Sequence, residues 1–304
     1  MTHGDTSLDG PQGRWGADDE RGALNLLTAD RVLAATRGCT TGKVYPLAVP
    51  IRRDSNLAMA HRGAPRRYNL LDRTDGDIFG PWGAGPADGA NEDVLLLPSH
   101  THTHMDALCH IYTKGALYNG FLNDTFHTHR GAARCGIEKT PAFAGRAVLL
   151  DLPGHQGVEW LPPGHAITPM ELAACRDRQG STLGSGDILL VRTGWLDLCA
   201  ARAAAGEALP HDQPGIGLAA AEWVAAQDIA AIGADNAAVE VLPFDRGIFV
   251  GVHIELMVKR GIIFLEHLLL SELARDRCYE GLFVVGALPV VGASGSPVNP
   301  VVIG

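Results

Sequence analysis

Residues 99–112, SHTHTHMDALCHIY, hold the densest group of metal-ligand side chains in this chain. Four histidines and one aspartate fall within eleven positions: His100, His102, His104, Asp106 and His110. Imidazole nitrogens and carboxylate oxygens bind divalent transition metals, and two histidines with one carboxylate leave coordination positions open for water and substrate. Alternate residues share a face in an extended chain, and residues four apart share one in a helix. Either geometry brings at least three ligands together, so the segment predicts a metal site.

A second group of candidate ligands lies in GVHIELMVKRGIIFLEHLLL. His253 begins a helix-like stretch that Gly261 can end, and Glu266 closes the apolar strand that follows. A helix of about seven residues spans roughly 10 Å and a strand of four or five spans roughly 15 Å, so the two ends can return to one place. We expect His253 and Glu266 to share a site. The alternative is a histidine at a helix start and a glutamate in solvent, and Glu255 and His267 are interpreted as surface or packing residues.

The elements that must position these ligands are those of an α/β protein. Two segments are predicted as helices, 168–179 with a Thr cap followed by Pro, and the Ala-rich 217–227. No repeat, linker or charge block divides the chain, so we predict one α/β domain over residues 1–304 with a central sheet. Five apolar runs bounded by Gly, Asp or Pro are predicted as buried strands: 146–152, 187–195, 229–235, 261–266 and 281–290.

A long segment rich in Gly, Pro, Asp and Arg, residues 53–92, precedes the histidine cluster. It has no sustained periodicity and is much longer than an ordinary connection, which is typical of functional or mobile loops. We interpret it as a loop that covers the substrate, with Phe79 and Trp82 as substrate contacts. The alternative is a disordered surface insertion, although Tyr68 and these two aromatic residues favour a segment that packs.

Composition excludes several classes of function. The net charge is −9, and no concentrated Lys/Arg face is visible, so a nucleic-acid partner is not expected. Apolar runs are too short for a membrane span, and the polar N-terminus does not resemble a signal peptide. Six scattered cysteines without a CxxC pair indicate a reduced, cytoplasmic protein. The glycine-rich segments neither follow a strand nor open a helix, no G-x-S-x-G motif occurs, and Cys109 is expected to pack rather than to attack.

The sequence HTHTHMDALCH resembles the H-x-G-T-H-x-D-x-x-x-H signature of the cyclase-like metal hydrolases, a family that includes bacterial kynurenine formamidases, isatin hydrolase and polyketide-cluster cyclases. Nearly the whole chain takes part in the resemblance, which implies a swivelling β/β/α fold with a central mixed sheet. Further blocks that resemble the family are RWGADDERGALNLL (14–27), GALYNGF (115–121), GDILLVRTGW (186–195), GADNAAVE (233–240) and GASGSPVNPVVIG (292–304).

The resemblance also implies roles for individual residues. It makes His110 the histidine that moves protons, and His102 departs from the family pattern because it stands where the signature has glycine. That departure adds a possible extra ligand or substrate contact. The resemblance implies that a divalent metal, Zn²⁺ or Mn²⁺, is held by two sets of residues: His100, His104 and Asp106 as primary ligands, with His253 and Glu266 completing a second metal site or the ligand shell.

These roles predict an enzyme that acts on a small molecule. The first hypothesis is a metal-dependent hydrolase of an amide-like C–N bond, in a formamide or cyclic amide, or of a related lactone. The alternatives are a metal-dependent cyclase or dehydratase of a polyketide-like substrate, which would show no net uptake of water, and a non-enzymatic metal-binding protein, which would not need a free His110 or a covering loop.

The expected oligomer is a homodimer or a dimer of dimers. An N-terminal arm, residues 1–27, is predicted to pack its segment 14–27 beside a partner's active site, because apolar anchors alternate there with charges. The alternative is that the arm closes over its own core. The anchors are Trp15, Leu24, Leu26 and Leu27.

Overall fold

The structure, a computed structural model, describes residues 10, 12–53, 57, 61–140 and 142–304. Within these residues the strands are β1 (Val44–Pro46), β2 (Arg66–Leu71), β3 (Glu92–Leu96), β4 (His104–Asp106), β5 (Phe126–His127), β6 (Gly131–Ala132), β7 (Phe143–Asp151), β8 (Ala166–Ile167), β9 (Ile188–Arg192), β10 (Gly215–Ile216), β11 (Ala231–Ala234), β12 (Ile263–Glu266), β13 (Glu280–Val285), β14 (Gly295–Pro297) and β15 (Val301–Ile303). The α-helices are α1 (Ala29–Thr36), α2 (Leu152–Gln156), α3 (Pro169–Gln179), α4 (Trp195–Ala204), α5 (Leu218–Ala226), α6 (Gly251–His253) and α7 (Ser271–Arg275). A π-helix, Ile254–Val258, continues α6, and short 3₁₀ helices include Gly22–Leu26 and Gly76–Trp82.

Nine strands form one mixed sheet in the order β1-β15-β13-β7-β9-β11-β12-β4-β14. Its centre, β7, β9, β11 and β12, is parallel, and β4 pairs antiparallel with both β12 and β14. In the β12–β4 register, Glu266 lies opposite His104. The predicted α/β fold with a central mixed sheet is therefore confirmed, and its register brings the two ligand segments side by side.

Local sequence explains the elements that were predicted. Strands covered on both faces are continuously apolar, and ILLVR of β9 is accordingly buried along almost its whole length. Helix α3 begins with a capping box in which the side chains of Thr168 and Glu171 each bond the other's backbone N–H. It ends at Gly180, which has φ +69°, the left-handed conformation that glycine favours. All five predicted strands and both predicted helices are present, with ends shifted by a few residues.

The segment 53–92 is more regular than predicted. Its strand β2 pairs antiparallel with β3, and the 3₁₀ helix Gly76–Trp82 lies between them, so the expectation of a wholly irregular loop is wrong. The strands were missed because neither carries a clear alternation of buried and polar residues, since nearly every residue of both is exposed. Residues 54–56 and 58–60 lie outside the described part of the chain.

The described part of the N-terminal arm packs against its own chain. Leu24 is buried in the core, and Trp15 packs at its edge. The Glu20 carboxylate accepts a hydrogen bond from the Cys135 backbone N–H at 2.7 Å. This agrees with the alternative interpretation of the arm, whereas a contact with a partner's site, and the oligomer itself, stay predictions. Residues 1–9 and 11 lie outside the described residues.

The arm also contacts the turn at Gly261, which lies between His253 and Glu266 in the sequence. The Ala23 backbone N–H donates to the Gly261 carbonyl at 2.8 Å, and Gly261 lies between the helix that starts near His253 and β12, which ends in Glu266. Gly22 and Gly261 approach so closely that a Cβ on either would overlap the other's backbone. The arm therefore braces the turn that returns the chain to the site.

All six cysteines are free thiols. In the described residues, no helix has the length and apolar character needed to cross a bilayer.

The close approach predicts a specific cost for Gly22→Ala. Gly22 has φ +59°, where alanine is strained by about 1–2 kcal/mol, and the overlap with Gly261 adds about 1–3 kcal/mol. Gly13→Ala is the matched control, because Gly13 has φ +69° but open space around its Cβ position. Urea unfolding should show a loss of about 2–5 kcal/mol for Gly22→Ala and about 1–2 kcal/mol for Gly13→Ala. Equal losses would show that the contact between the arm and the turn contributes nothing.

Candidate functional site

The histidine-rich motif turns sharply before it enters β4. His102 has φ +52°, a left-handed conformation, and only His104 to Asp106 are extended. The expectation that the motif is one extended or one helical stretch is therefore wrong. His102 stands at the glycine position of the signature and keeps the backbone conformation that glycine would adopt most easily, at a cost of about 1–2 kcal/mol for a residue with a side chain.

The two predicted ligand groups meet at the end of β4 and β12. His104 and Asp106 alternate with Met105, so both side chains leave β4 on the same face while Met105 enters the core. His104 Nε2 lies 3.1 Å from Glu266 Oε2 and 3.5 Å from Asp106 Oδ1. His253 Nε2 lies 3.5 Å from Glu266 Oε1 and 3.7 Å from Asp106 Oδ2. These four side chains, all buried, form a cluster of two imidazoles and two carboxylates.

His100 and His110 form a second group of side chains at Asp106. His100 Nδ1 is 2.7 Å from Asp106 Oδ1, and its Nε2 is 3.0 Å from Ser294 Oγ. The His110 ring stacks on the His100 ring with centroids 3.8 Å apart. Asp106 is thus shared by two sets of side chains with atoms close enough to hold a cation, His104–Asp106–Glu266 and His100–Asp106–His110.

The donor set fits a divalent metal. His104 Nδ1 donates to the His102 carbonyl at 2.8 Å, so when the ring is neutral its lone pair is on Nε2. Among the described residues, neither His104 Nε2 nor Asp106 Oδ2 has a hydrogen-bond partner, although both atoms are buried. A buried polar atom left unpaired costs about 1–3 kcal/mol, and a cation bound between such atoms would remove that cost.

In the cluster, burial and charged neighbours shift the pKa of each group in opposite directions. Burial disfavours the charge on His253, but its contacts with Asp106, Glu240 and Glu266 outweigh burial and hold its pKa well above the ordinary value. Burial also disfavours a charged Glu266, yet His104 and His253 keep the pKa of that carboxyl below its usual range. The pKa of Asp106 is likewise held well below its usual range, so both carboxylates are ionised at neutral pH. A metal that binds here displaces protons from the two histidines, whose pKa values are raised.

His110 has different surroundings. Desolvation of its ring lowers the pKa of His110 to about 3, so the imidazole is neutral at neutral pH. A neutral imidazole can accept a proton or donate a lone pair to a metal. His110 keeps some solvent exposure, whereas His100, His104 and Asp106 are buried.

Two contacts of the site were not predicted. The Glu240 carboxylate lies 2.5 Å from His253 Nδ1, and Ser294 reaches His100. Both residues belong to sequence blocks that resemble the family, but a single Glu or Ser has no spacing signal. His267 is buried, with Nδ1 3.0 Å from the His102 carbonyl, which fits its interpretation as a packing residue. The partly buried Glu255 forms ion pairs with its helix neighbours Lys259 and Arg260.

The three predicted substrate contacts differ in their surroundings. His102 is fully buried, with Nδ1 3.0 Å from Thr101 Oγ1. Trp82 is 81% exposed and packs against Phe79 with ring centroids 5.9 Å apart. The segment 61–96 reaches the site through Arg62, whose guanidinium donates to the His100 carbonyl at 2.5 Å. The roles of His102, Phe79 and Trp82 toward substrate stay predictions.

Cys109, next to His110, is a packed thiol rather than a nucleophile. Burial raises the pKa of Cys109 to about 12, so the thiolate is not populated at neutral pH. Its Sγ lies 3.8 Å from the Ala293 carbonyl oxygen.

Comparisons with known proteins identify the family of this chain. The model of the family described as "Putative cyclase" matches residues 45–241, which is more than half of the chain. No curated protein matches significantly.

Solved structures extend the similarity to nearly the whole chain. A crystal structure described as a novel cyclase is 32% identical, with a TM-score of 0.85, and the alignment covers 97% of each chain. Isatin hydrolase A from Labrenzia aggregata is 18% identical, with a TM-score of 0.60 and coverage of 86% of this chain and 94% of that one. A predicted metal-dependent hydrolase from Bacillus stearothermophilus is 20% identical, with a TM-score of 0.50 and coverage of 86% and 97%. The last two share the fold.

Because Asp106 belongs to both candidate ligand sets, we predict that metal binding requires it. Asp106→Ala should leave the secondary structure in place but reduce bound Zn²⁺ or Mn²⁺ to near zero, because both candidate ligand sets lose their common carboxylate. Elemental analysis after dialysis measures this. Asp187→Ala is the matched control, since Asp187 is also a buried carboxylate but pairs with Arg146 instead of a site histidine. Full metal content in Asp106→Ala would refute the assignment.

Proposed function

This chain belongs to the cyclase family, and from that premise we propose that it is a metal-dependent hydrolase of an amide-like C–N bond in a formamide or cyclic amide, or of a related lactone. The cluster around Asp106 supports this proposal: within the described part of the chain, two of its buried ligand atoms have no hydrogen-bond partner, and the neutral, partly exposed His110 lies alongside. The isatin hydrolases, which share this fold, are named for a cyclic amide.

The metal would be held by side chains already oriented for it. His104, Asp106, Glu266 and His253 supply nitrogen and oxygen donors suited to Zn²⁺ or Mn²⁺, and His100 extends the set. A bound metal of this kind polarises a substrate carbonyl and makes water acidic enough to attack near neutral pH.

His110 supplies the proton transfers that hydrolysis needs. As water attacks the carbonyl carbon, the neutral imidazole accepts a proton from it; when the C–N bond breaks, the imidazolium returns that proton to the leaving nitrogen. Stacking on His100 holds the His110 ring beside Asp106, whose negative charge stabilises the transient imidazolium. The products are a carboxylate and an amine, or one amino acid when the substrate is cyclic.

A cyclase or dehydratase is the second candidate. The relative at 32% identity is described as a cyclase, and the same donor set could stabilise the enolate that ring closure requires. Such a reaction shows no net uptake of water.

Isotope labelling separates the two candidates. In water enriched in ¹⁸O, formanilides, lactams, isatin-like compounds and lactones should include a substrate whose product carboxylate gains one ¹⁸O atom during turnover, detected by mass spectrometry. Turnover of a polyketide-like substrate without ¹⁸O uptake, combined with no hydrolysis of the panel, would favour the cyclase instead.

Substitution of His110 tests its assigned role. His110→Ala should keep the metal but lower kcat by about 10²–10⁴-fold, the usual effect of removing a general acid–base group. Metal content and turnover are measured on the same sample. The control is His211→Ala, because His211 is 95% exposed and lies in a surface turn. If His110→Ala loses its metal together with its activity, His110 is a ligand rather than the proton carrier.

A further inference from the structure

Glu240 belongs to neither candidate ligand set around Asp106, yet its carboxylate contacts His253. We infer that Glu240 is a positioning residue for the metal centre, whose carboxylate fixes the ring orientation and the proton position of His253. The inference rests on the proposed function, because it takes His253 as a ligand.

The contacts of Glu240 converge on the start of α6. Its Oε1 lies 2.5 Å from His253 Nδ1 and accepts a weaker bond from the His253 backbone N–H at 3.4 Å. Its Oε2 accepts from the Val252 backbone N–H at 3.2 Å. Glu240 is 1% exposed, so no bulk water competes for its oxygens. One carboxylate therefore binds both the backbone and the ring of the residue it orients.

The chemistry of the pair determines where the imidazole proton lies. A carboxylate only accepts hydrogen bonds, so when His253 gives up one proton to bind a metal, the proton that remains lies on Nδ1 and the lone pair lies on Nε2. Nε2 is the atom that faces Asp106 and Glu266, at 3.7 and 3.5 Å. Metal-bound histidines usually donate their other N–H to such a partner, which makes the ligand atom more basic.

The backbone of Glu240 is itself held in place. Its carbonyl accepts from the Asn236 side chain at 3.2 Å, and its peptide pairs with Ile216 of β10 in an isolated bridge. Gly215 lies so close that a Cβ there would overlap the Glu240 backbone. The carboxylate is therefore presented from a fixed segment.

An amide cannot replace this carboxylate without loss. N–H donors face both oxygens of Glu240, so in Glu240→Gln the NH₂ group must point at one of them. If it points at Val252, two donors oppose each other. If it points at His253, the ring must present Nδ1 as the acceptor and move its proton to Nε2, the atom needed for the metal.

The experiment measures metal affinity as well as turnover. Zn²⁺ affinity, by competition with a chromogenic chelator, should fall about 10–100-fold in Glu240→Gln, the usual effect of losing such a partner. The visible spectrum of the Co²⁺-loaded protein should change in band position or intensity. Glu240→Asp provides a second variant, because it keeps the charge but shortens the reach to Nδ1, and its affinity should also fall.

The matched control is Asp235→Asn. Asp235 is a buried carboxylate that also accepts three hydrogen bonds, from the Thr193 N–H and hydroxyl and the Gly194 N–H, but it bonds to none of the site histidines. Thermal unfolding of the metal-free proteins reports any general loss of stability. Asp235→Asn should keep wild-type metal affinity and the wild-type Co²⁺ spectrum even if it unfolds earlier.

The outcomes separate this inference from the proposed function. Unchanged Zn²⁺ affinity and Co²⁺ spectra in both Glu240 variants would overturn the role of Glu240 while leaving hydrolysis standing. Weakened binding in a wild-type protein that hydrolyses nothing would support Glu240 and reject the hydrolase. Equal losses in Asp235→Asn and Glu240→Gln, or a wild-type protein that binds no divalent metal, would overturn the inference.

Discussion

The buried carboxylate of Asp106 is the constraint on which the rest of the site depends. It is 0% exposed, and an isolated charge at such a position would be strongly unfavourable. Three imidazoles surround it: His100, His104 and His253. Two of them come from its own segment and one from a helix start far along the chain, so the sheet must bring distant parts of the sequence together before this charge can be buried.

The fold meets this requirement through strand pairing and close turns. Short β4 lies between β12 and β14: its register with β12 sets Glu266 opposite His104, and its register with β14 sets Gly295 opposite Asp106. Two of the three rings are then oriented from outside the ligand set: the His102 carbonyl accepts from His104, and the Glu240 carboxylate accepts from His253. The left-handed backbone of His102 is thus part of the site, because it aims the carbonyl that selects the His104 tautomer.

Sequence reasoning succeeded where one local feature determines the structure. Continuous apolar runs predicted β9 and β11, and the Thr-Pro start predicted α3, since burial and capping act on neighbouring residues. The density of histidines identified the segment around Asp106 for the same reason. It did not find β2 and β3, whose residues are nearly all exposed and so lack a burial pattern. Glu240 was missed because its role depends on a long-range contact, and the turn at His102 because glycine is the usual signal for a left-handed residue.

Hydrolysis by this site depends on a divalent metal bound in the cluster around Asp106. Anomalous diffraction from crystals soaked in Zn²⁺ or Mn²⁺, recorded at the absorption edge of the metal, tests this most directly. We expect a strong anomalous peak about 2.0–2.2 Å from His104 Nε2 and from oxygens of Asp106 and Glu266. A well-ordered structure with no peak in this cluster, or with metal only on the surface, would contradict it.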